Sequence, residues 1–202
     1  MNEILIATNN PGKLREIKEL LKSLPIKIIA PRDLEISIEV DEDGKTYFEN
    51  AYKKAIAYQK ASGGVLTLAD DSGLEVATLG GLPGINSHRF SAKQNASDLD
   101  RRISLLERLL GHPEPWNACF HCEIVIMGSS GNCFRAHGKC EGEIIANERG
   151  TNGFGYDPIF YLPQKGKTMA ELTDQEKNQV SHRANAIKKA LTYLRSLSIS
   201  EE

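Results

Sequence analysis

Leu68-Ala69-Asp70-Asp71-Ser72-Gly73-Leu74-Glu75-Val76, running on to Gly80-Gly81-Leu82-Pro83-Gly84, is the stretch on which the reading of this chain turns. Val65 to Ala69 is a short, mostly apolar run, the pattern of a buried strand. It stops at two adjacent carboxylates, a hydroxyl and a glycine. An ionised carboxylate at the end of a buried strand loses its hydration unless a cation or several donors replace the water. A divalent metal removes that conflict, because Mg²⁺ takes one or two protein carboxylates and completes its shell with water and substrate phosphates. A strand-to-turn junction, with Asp and Ser bonded to turn amides, fits the same residues.

Working outward, the first strand candidate is Glu3 to Ala7. It ends in Thr8-Asn9-Asn10-Pro11-Gly12-Lys13, after which Leu14, Ile17, Leu20 and Leu21 recur at helical spacing. Asn10 suits the N-cap and Pro11 the first helical position. A strand leading through a polar turn into a helix N-terminus makes an anion site, since free amides and the helix dipole face outward there. Thr8 and Asn10 can donate to phosphate oxygens, and Lys13 brings a full positive charge. Ile26 to Ala30 reads as a second strand. The acidic loop Glu39-Val40-Asp41-Glu42-Asp43-Gly44 precedes Thr46-Tyr47-Phe48-Glu49, a capping box opening a helix to about Ser62. That position would let Glu42 stand beside Asp71 as a second metal ligand.

Beyond the central stretch, Ser97-Asp98-Leu99-Asp100 caps a helix whose apolar face is expected at Ile103, Leu106 and Leu110. Strands around Cys119–Met127 and Cys133–His137 flank Ser129-Ser130-Gly131-Asn132, which predicts a hairpin. Cys119 and Cys122 invite a zinc reading. On a strand, however, residues three apart face opposite sides, so buried free thiols are expected. In Gly153-Phe154-Gly155-Tyr156-Asp157-Pro158 the flanking glycines suggest a backbone shaped to present one aromatic ring. Lys177 to Arg183 is expected to open a last helix through Ala190 and Leu194. No Walker loop is present: Gly166-Lys167-Thr168 has Tyr161 where that motif needs its first glycine.

The 202 residues, 40% hydrophobic and 26% charged, suit one soluble globular domain over 1–202, with no linker or low-complexity segment. A net charge of -2 gives no reason to expect general nucleic-acid binding, so phosphate recognition must rest on locally placed basic groups. No apolar run approaches the roughly 20 residues that span a bilayer. The start lacks the regions of a signal peptide, so a cytoplasmic protein is expected.

Together these motifs resemble the Ham1/RdgB family of inosine triphosphate pyrophosphatases, which act on non-standard purine nucleotides. The resemblance runs nearly end to end. It rests on Thr8-x-Asn10-x-x-Lys13, Thr46-Tyr47-Phe48-Glu49-Asn50-Ala51, Ala69-Asp70-Asp71-Ser72-Gly73-Leu74, Gly80-Gly81-x-Pro83-Gly84, Gly153-Phe154-Gly155-Tyr156-Asp157-Pro158 and Ser181-His182-Arg183. It implies an elongated α/β fold, with a long mixed β-sheet flanked by helices and a central active-site cleft between two lobes. It also implies a homodimer that cleaves dITP, ITP and XTP between the α- and β-phosphates with Mg²⁺, releasing the monophosphate and pyrophosphate. Such an enzyme clears these nucleotides from the pool used for DNA and RNA.

On that resemblance Thr8, Asn9, Asn10, Pro11, Gly12 and Lys13 hold the phosphate tail, with Lys54 and Arg89 assisting. Glu42 and Asp71 bind Mg²⁺, Asp71 accepts the proton of the attacking water, and Ser72 orients substrate. The purine lies against Phe154, Gly155, Tyr156 and Asp157. Lys177, His182 and Arg183 donate toward its 6-position. A 6-keto base offers an acceptor there and adenine a donor, and each buried unsatisfied donor costs about 1–3 kcal/mol. Two rival readings remain at this level: a Maf-like pyrophosphatase of pyrimidine or modified nucleotides, and a sensor that binds nucleotides without cleaving them.

Overall fold

The computed structural model describes residues 3–199. The strands are β1 (Glu3–Ile6), β2 (Lys27–Ile29), β3 (Thr67–Val76), β4 (Pro83–Gly84), β5 (Trp116–Met127), β6 (Cys133–Ile144), β7 (Phe160–Leu162) and β8 (Lys167–Thr168). The helices are α1 (Pro11–Leu21), α2 (Tyr47–Ala61), α3 (Asp98–Leu109), α4 (Asp174–Val180) and α5 (His182–Ile199). The strands follow the order β2-β1-β3-β5-β6-β7-β8, with β4 beside β3. Pairing is parallel for β1 with β2 and β3, and antiparallel for β3 with β4 and for β6-β7-β8, so the sheet is mixed. No helix among the described residues is long and apolar enough to cross a membrane.

The chain expected to form one domain divides into two compact units that interleave in sequence. The first comprises residues 1–71, 122–138 and 183–202, the second residues 72–121 and 139–182. In the first unit the sheet is covered on both faces. Ile4, Ile6, Leu68, Ile124 and Ile126 pack with Ile17 and Leu21 of α1 and Ile187, Ala190 and Leu194 of α5. Leu5, Ala7, Ala69, Val125 and Met127 turn to the other face, against Ala51, Ala55 and Tyr58 of α2. Strands covered on both faces become continuous apolar runs, which is why Ile4-Leu5-Ile6 shows no alternation. In the second unit Leu74, Val76, Trp116, Ala118 and Phe120 pack on Leu105 and Leu109 of α3 and on Ile159, Phe160 and Met169. Here Asn117, Cys119, Lys139 and Glu141 are less buried than their strand neighbours, the alternation of a one-sided sheet.

Several local predictions hold. Asn10 Oδ1 accepts the Lys13 N–H at 3.0 Å, and Pro11 takes the first helical position. Ser97 and Asp100 form a reciprocal capping box at α3. The Thr46 box is half realised: Thr46 accepts the Glu49 N–H at 3.1 Å, while Glu49 reaches past it to the Lys45 N–H at 2.6 Å. Gly128 N–H bonds to Asn132 O across the hairpin turn. Of the cysteines, expected as buried thiols, Cys122 and Cys140 are buried, whereas Cys119 is half-buried and Cys133 exposed.

Three expectations change. The strand does not stop at Asp70 and Asp71 but runs through them to Val76, so both are buried in mid-strand. In α3 the buried row is Arg101, Leu105 and Leu109, whereas Ile103 and Leu110 are 44% and 74% exposed. That helix carries two leucine rows. Its core row includes an arginine, whose guanidinium is satisfied by the His88 and Ala96 carbonyls at 3.3 and 2.7 Å. Lastly, Lys177 does not open the long terminal helix. It belongs to α4, which has its own Thr173–Glu176 box and ends at extended Ser181 before α5 begins.

Candidate active site

Adjacent residues of a strand point to opposite faces, and this separates the paired carboxylates of the first unit. Asp70 follows Leu68 to the face covered by α1 and α5. Its Oδ2 accepts from Arg183 Nε and Nη2 at 3.3 and 3.1 Å and from Lys13 Nζ at 3.1 Å. Arg183 Nη1 also donates to Glu16 Oε2 at 2.5 Å, so Lys13, Glu16, Asp70 and Arg183 form one buried network. Burial works against ionisation of Asp70, but attraction to Lys13, Arg183 and Lys54 outweighs it and holds the carboxyl well below the usual range. The other oxygen, Asp70 Oδ1, is buried and accepts no hydrogen bond from the described residues.

Asp71 follows Ala69 to the opposite face, toward α2. Asn50, fully buried, donates through Nδ2 to Asp71 Oδ2 at 3.1 Å, while its Oδ1 accepts the Gly44 N–H at 2.8 Å. The end of the acidic loop is therefore tied through Asn50 to Asp71. A Cβ on Gly44 would fall 2.5 Å from Asn50 Oδ1, so the close approach needs glycine. Lys54 Nζ lies 2.9 Å from Glu42 Oε1 and 3.6 Å from Asp71 Oδ1. Burial raises the pKa of Asp71, Lys54 and Lys13 oppose that shift, and Glu42 adds to it; the net direction is upward. Burial would lower the pKa of Lys54, but Asp71, Asp70 and Glu42 overcome it and keep the ammonium charged.

This donor set suits a hard divalent cation. Two carboxylates, Glu42 and Asp71, already converge on one positive centre, and Asn50 holds the second oxygen of Asp71 away from it. Among the described residues no group of three or more His, Cys, Asp or Glu could hold a metal ion. A cation here would complete its shell with water and substrate oxygens, the habit of Mg²⁺.

The Thr8–Lys13 turn leads into α1. Thr8 Oγ1 accepts the Asn10 N–H at 3.2 Å, leaving its hydroxyl hydrogen for another acceptor. The cap uses Asn10 Oδ1 and the Lys13 amide, so the donors this turn could offer an anion are the Thr8 hydroxyl, Asn10 Nδ2 and Lys13 Nζ. Asn9 donates to the Tyr58 hydroxyl at 3.2 Å and anchors the turn rather than opening it. Pro11 is exposed and Gly12 half-buried.

In the second unit, Gly153-Phe154-Gly155-Tyr156-Asp157 forms a compact turn. Asp157 Oδ2 accepts the Phe154 N–H at 2.9 Å and Lys177 Nζ at 2.5 Å, and Lys177 Nζ stands 5.1 Å from the centre of the half-buried Phe154 ring. Gly153 lies at φ 76°, and a Cβ there would fall 2.0 Å from Asp157 Oδ2 and 3.1 Å from Lys177 Nζ. Tyr156 is buried, its hydroxyl donating to the Ser87 carbonyl at 2.8 Å. His182 stacks on Phe120 at 4.6 Å. Ser72 is half-buried on β3, and Arg89 is exposed, with Nη2 3.4 Å from Asn86 Oδ1.

Phe154, Asp157 and Lys177 are thus brought together, as are Lys13, Glu42, Lys54 and Asp71 around β3. Arg183 is 1% exposed, and its guanidinium donates to Asp70 and Glu16. The sequence reading missed Glu16 and gave Asn50 and Asp70 no role of their own, though both stand in its motifs. Glu16 could have been found from its i+3 spacing to Lys13, and Asp70 from strand alternation.

The Ham1 family model matches residues 4–193. The chain belongs to the Ham1 family. A Ham1 relative, the dITP/XTP pyrophosphatase of Desulforamulus reducens, is 43% identical over 201 residues, covering 99% of each chain. A Ham1 protein structure from Coxiella burnetii superposes with a TM-score of 0.87 at 43% identity, covering 97% of this chain and all of that one. The Ham1 protein of Staphylococcus aureus gives a TM-score of 0.83 at 40% identity, over 96% and 99% of the two chains. The α/β architecture expected from the motifs is therefore that of the Ham1 structures.

Proposed function

We propose that this chain is a nucleoside triphosphate pyrophosphatase that hydrolyses dITP, ITP and XTP to the monophosphate and pyrophosphate. The observation that carries the proposal is the division of labour at β3. Asp70 is locked into a buried network with Lys13 and Arg183, while Asp71 is held by Asn50 with Oδ1 turned toward Glu42 and Lys54. Relatives of full length that bear the name dITP/XTP pyrophosphatase support the choice of substrate.

Phosphoryl transfer is mostly positioning and electrostatics. The Thr8 hydroxyl, Asn10 Nδ2 and Lys13 Nζ bind and orient the phosphate tail. Glu42 and Asp71 would hold Mg²⁺, which when bound screens phosphate oxygens and lowers the pKa of a coordinated water. Asp71 accepts a proton from the attacking water, and its upward-shifted pKa suits that task. Phe154 stacks the purine. Lys177, paired with Asp157, donates to the 6-keto oxygen together with His182, and adenine presents a donor at the same place. Arg183 enters as the buttress of Asp70. A homodimer, implied by the resemblance, belongs to the same proposal and is read by sedimentation.

The test incubates the protein and Mg²⁺ with dITP, XTP, dATP and pyrimidine triphosphates, assaying pyrophosphate against orthophosphate. Pyrophosphate from dITP and XTP is the expected result. Orthophosphate as product, preference for a pyrimidine triphosphate, or binding without turnover would each refute the proposal.

A further inference from the structure

Gly153 and Gly155 give the Phe154 segment its shape, at φ 76° and 62°, and they also remove its local stiffness. A ring meant to stack against a base needs a fixed plane, so something outside the segment must hold it. The holding groups come from α3. Gly155 N–H donates to Asp98 Oδ2 at 2.7 Å, and Gly155 O accepts from Arg102 Nη1 at 2.8 Å. Asp98 and Arg102 are i and i+4 on the helix, hence on one face. Each is itself braced. Arg102 Nε and Nη2 grip the Glu148 carboxylate at 2.7 and 3.0 Å, and Asp98 Oδ1 pairs with buried Arg101. On the other side of the ring, Asp157 Oδ2 takes the Phe154 N–H, and the Asp157 N–H donates to Phe154 O at 3.2 Å. The backbone groups on both sides of Phe154 are therefore fixed, which sets the point and direction from which its ring projects.

We propose that Asp98 and Arg102 are positioning residues for base recognition, fixing the Gly155 peptide from α3 and with it the plane of the Phe154 ring. Neither touches the base. The inference rests on the reading that Phe154 stacks the purine and adds a determinant outside the recognised motifs, where Asp98 would pass as part of a helix cap. Asp98 is suited to the task at neutral pH. Burial opposes its ionisation, but the Gly155 N–H and Arg101 outweigh that and hold its pKa low.

The test compares Arg102→Ala, Phe154→Ala and their combination. It reads kcat/KM for dITP, with inhibition by inosine monophosphate and by inorganic tripolyphosphate. Arg102→Ala is expected to weaken inosine monophosphate about tenfold and leave tripolyphosphate within about twofold, because misplacing a binding group by about 1 Å costs up to about 100-fold. In the Phe154→Ala background the same substitution is expected to add almost nothing, the non-additivity of residues acting as a unit. Arg102→Lys, which keeps the charge but loses the planar fork that serves Gly155 and Glu148, should fall between. Should Arg102→Ala fail to fold, Glu148→Gln and Asp98→Asn carry the same comparison. Equal weakening of both inhibitors, or an undiminished effect in the Phe154→Ala background, overturns the positioning role. A Phe154→Ala variant that binds inosine monophosphate normally overturns instead the stacking reading beneath it.

Discussion

Arg183→Met separates two accounts of a fully buried side chain. The sequence reading aims Arg183 at the purine 6-position, whereas in the structure its guanidinium donates to Asp70 and Glu16, carboxylates that are 1% and 6% exposed. Methionine keeps the apolar stem and removes the charge. Asp70 would retain only the Lys13 contact at 3.1 Å on Oδ2, with Oδ1 already lacking a hydrogen bond. Breaking a buried pair from one side costs about 3–5 kcal/mol, a large share of the roughly 5–15 kcal/mol that holds a domain folded. With a urea dependence of about 1–3 kcal/mol per molar, the midpoint followed by far-ultraviolet circular dichroism should fall by about 1 M or more. Adding Glu16→Met should recover part of that loss, since it removes a stranded carboxylate. The kinetic counterpart is the dITP-to-dATP ratio of kcat/KM. A base donor would change it about tenfold, equivalent to 1.4 kcal/mol, while a buttress of Asp70 lowers both substrates alike. A midpoint within about 0.3 M of the parent, together with a collapsed ratio, would refute the buried-network account.

Asp71→Asn should leave the fold intact and reduce turnover by roughly 10²–10⁴-fold; near-normal kcat in the folded variant removes Asp71 from the role of base. Lys13→Ala should weaken triphosphate strongly and inosine monophosphate much less, and isothermal titration with both ligands checks it. Gly153→Ala drives a Cβ toward Asp157 and Lys177 at a left-handed φ. A stability loss of about 1–2 kcal/mol from the backbone alone is expected, with a loss of dITP selectivity, and unchanged kinetics would contradict it. For Asp70 the folded pKa lies below the unfolded value of about 3.9. Its ionised form therefore stabilises the fold above that value, and the contribution fades as pH falls through it toward the folded pKa. The gap in urea midpoint between the parent and Asp70→Asn should shrink on acidification from about pH 5 to pH 2, and a constant gap contradicts the assignment.

What the sequence disclosed was local. Asn10, Ser97 and the Ser129–Asn132 turn act through neighbours three or four residues away, so their chemistry is written beside them. The course of β3 was hidden because what stabilises two carboxylates in mid-strand comes from positions 13, 50, 54 and 183, far apart in the chain. Periodicity could not choose between the two leucine rows of α3, because the deciding feature is a buried arginine satisfied by carbonyls of a preceding loop. Arg183 was drawn to the base by its place in a recognised motif. Its contacts in the structure, Asp70 and Glu16, lie 113 and 167 positions away, beyond the reach of any local motif.

The free thiols of the β5–β6 hairpin amount to a built-in clock for structural opening. Cys133, exposed near the turn, is available to a disulfide reagent in the native protein. Cys122 in the first unit and Cys140 in the second are buried, and burial above all pushes each thiol up to about 12. Exchange proceeds through the thiolate, so neither reacts until its surroundings open to water. Mass-resolved labelling over time in mild denaturant would read the opening of each unit separately, with Cys133 marking zero time.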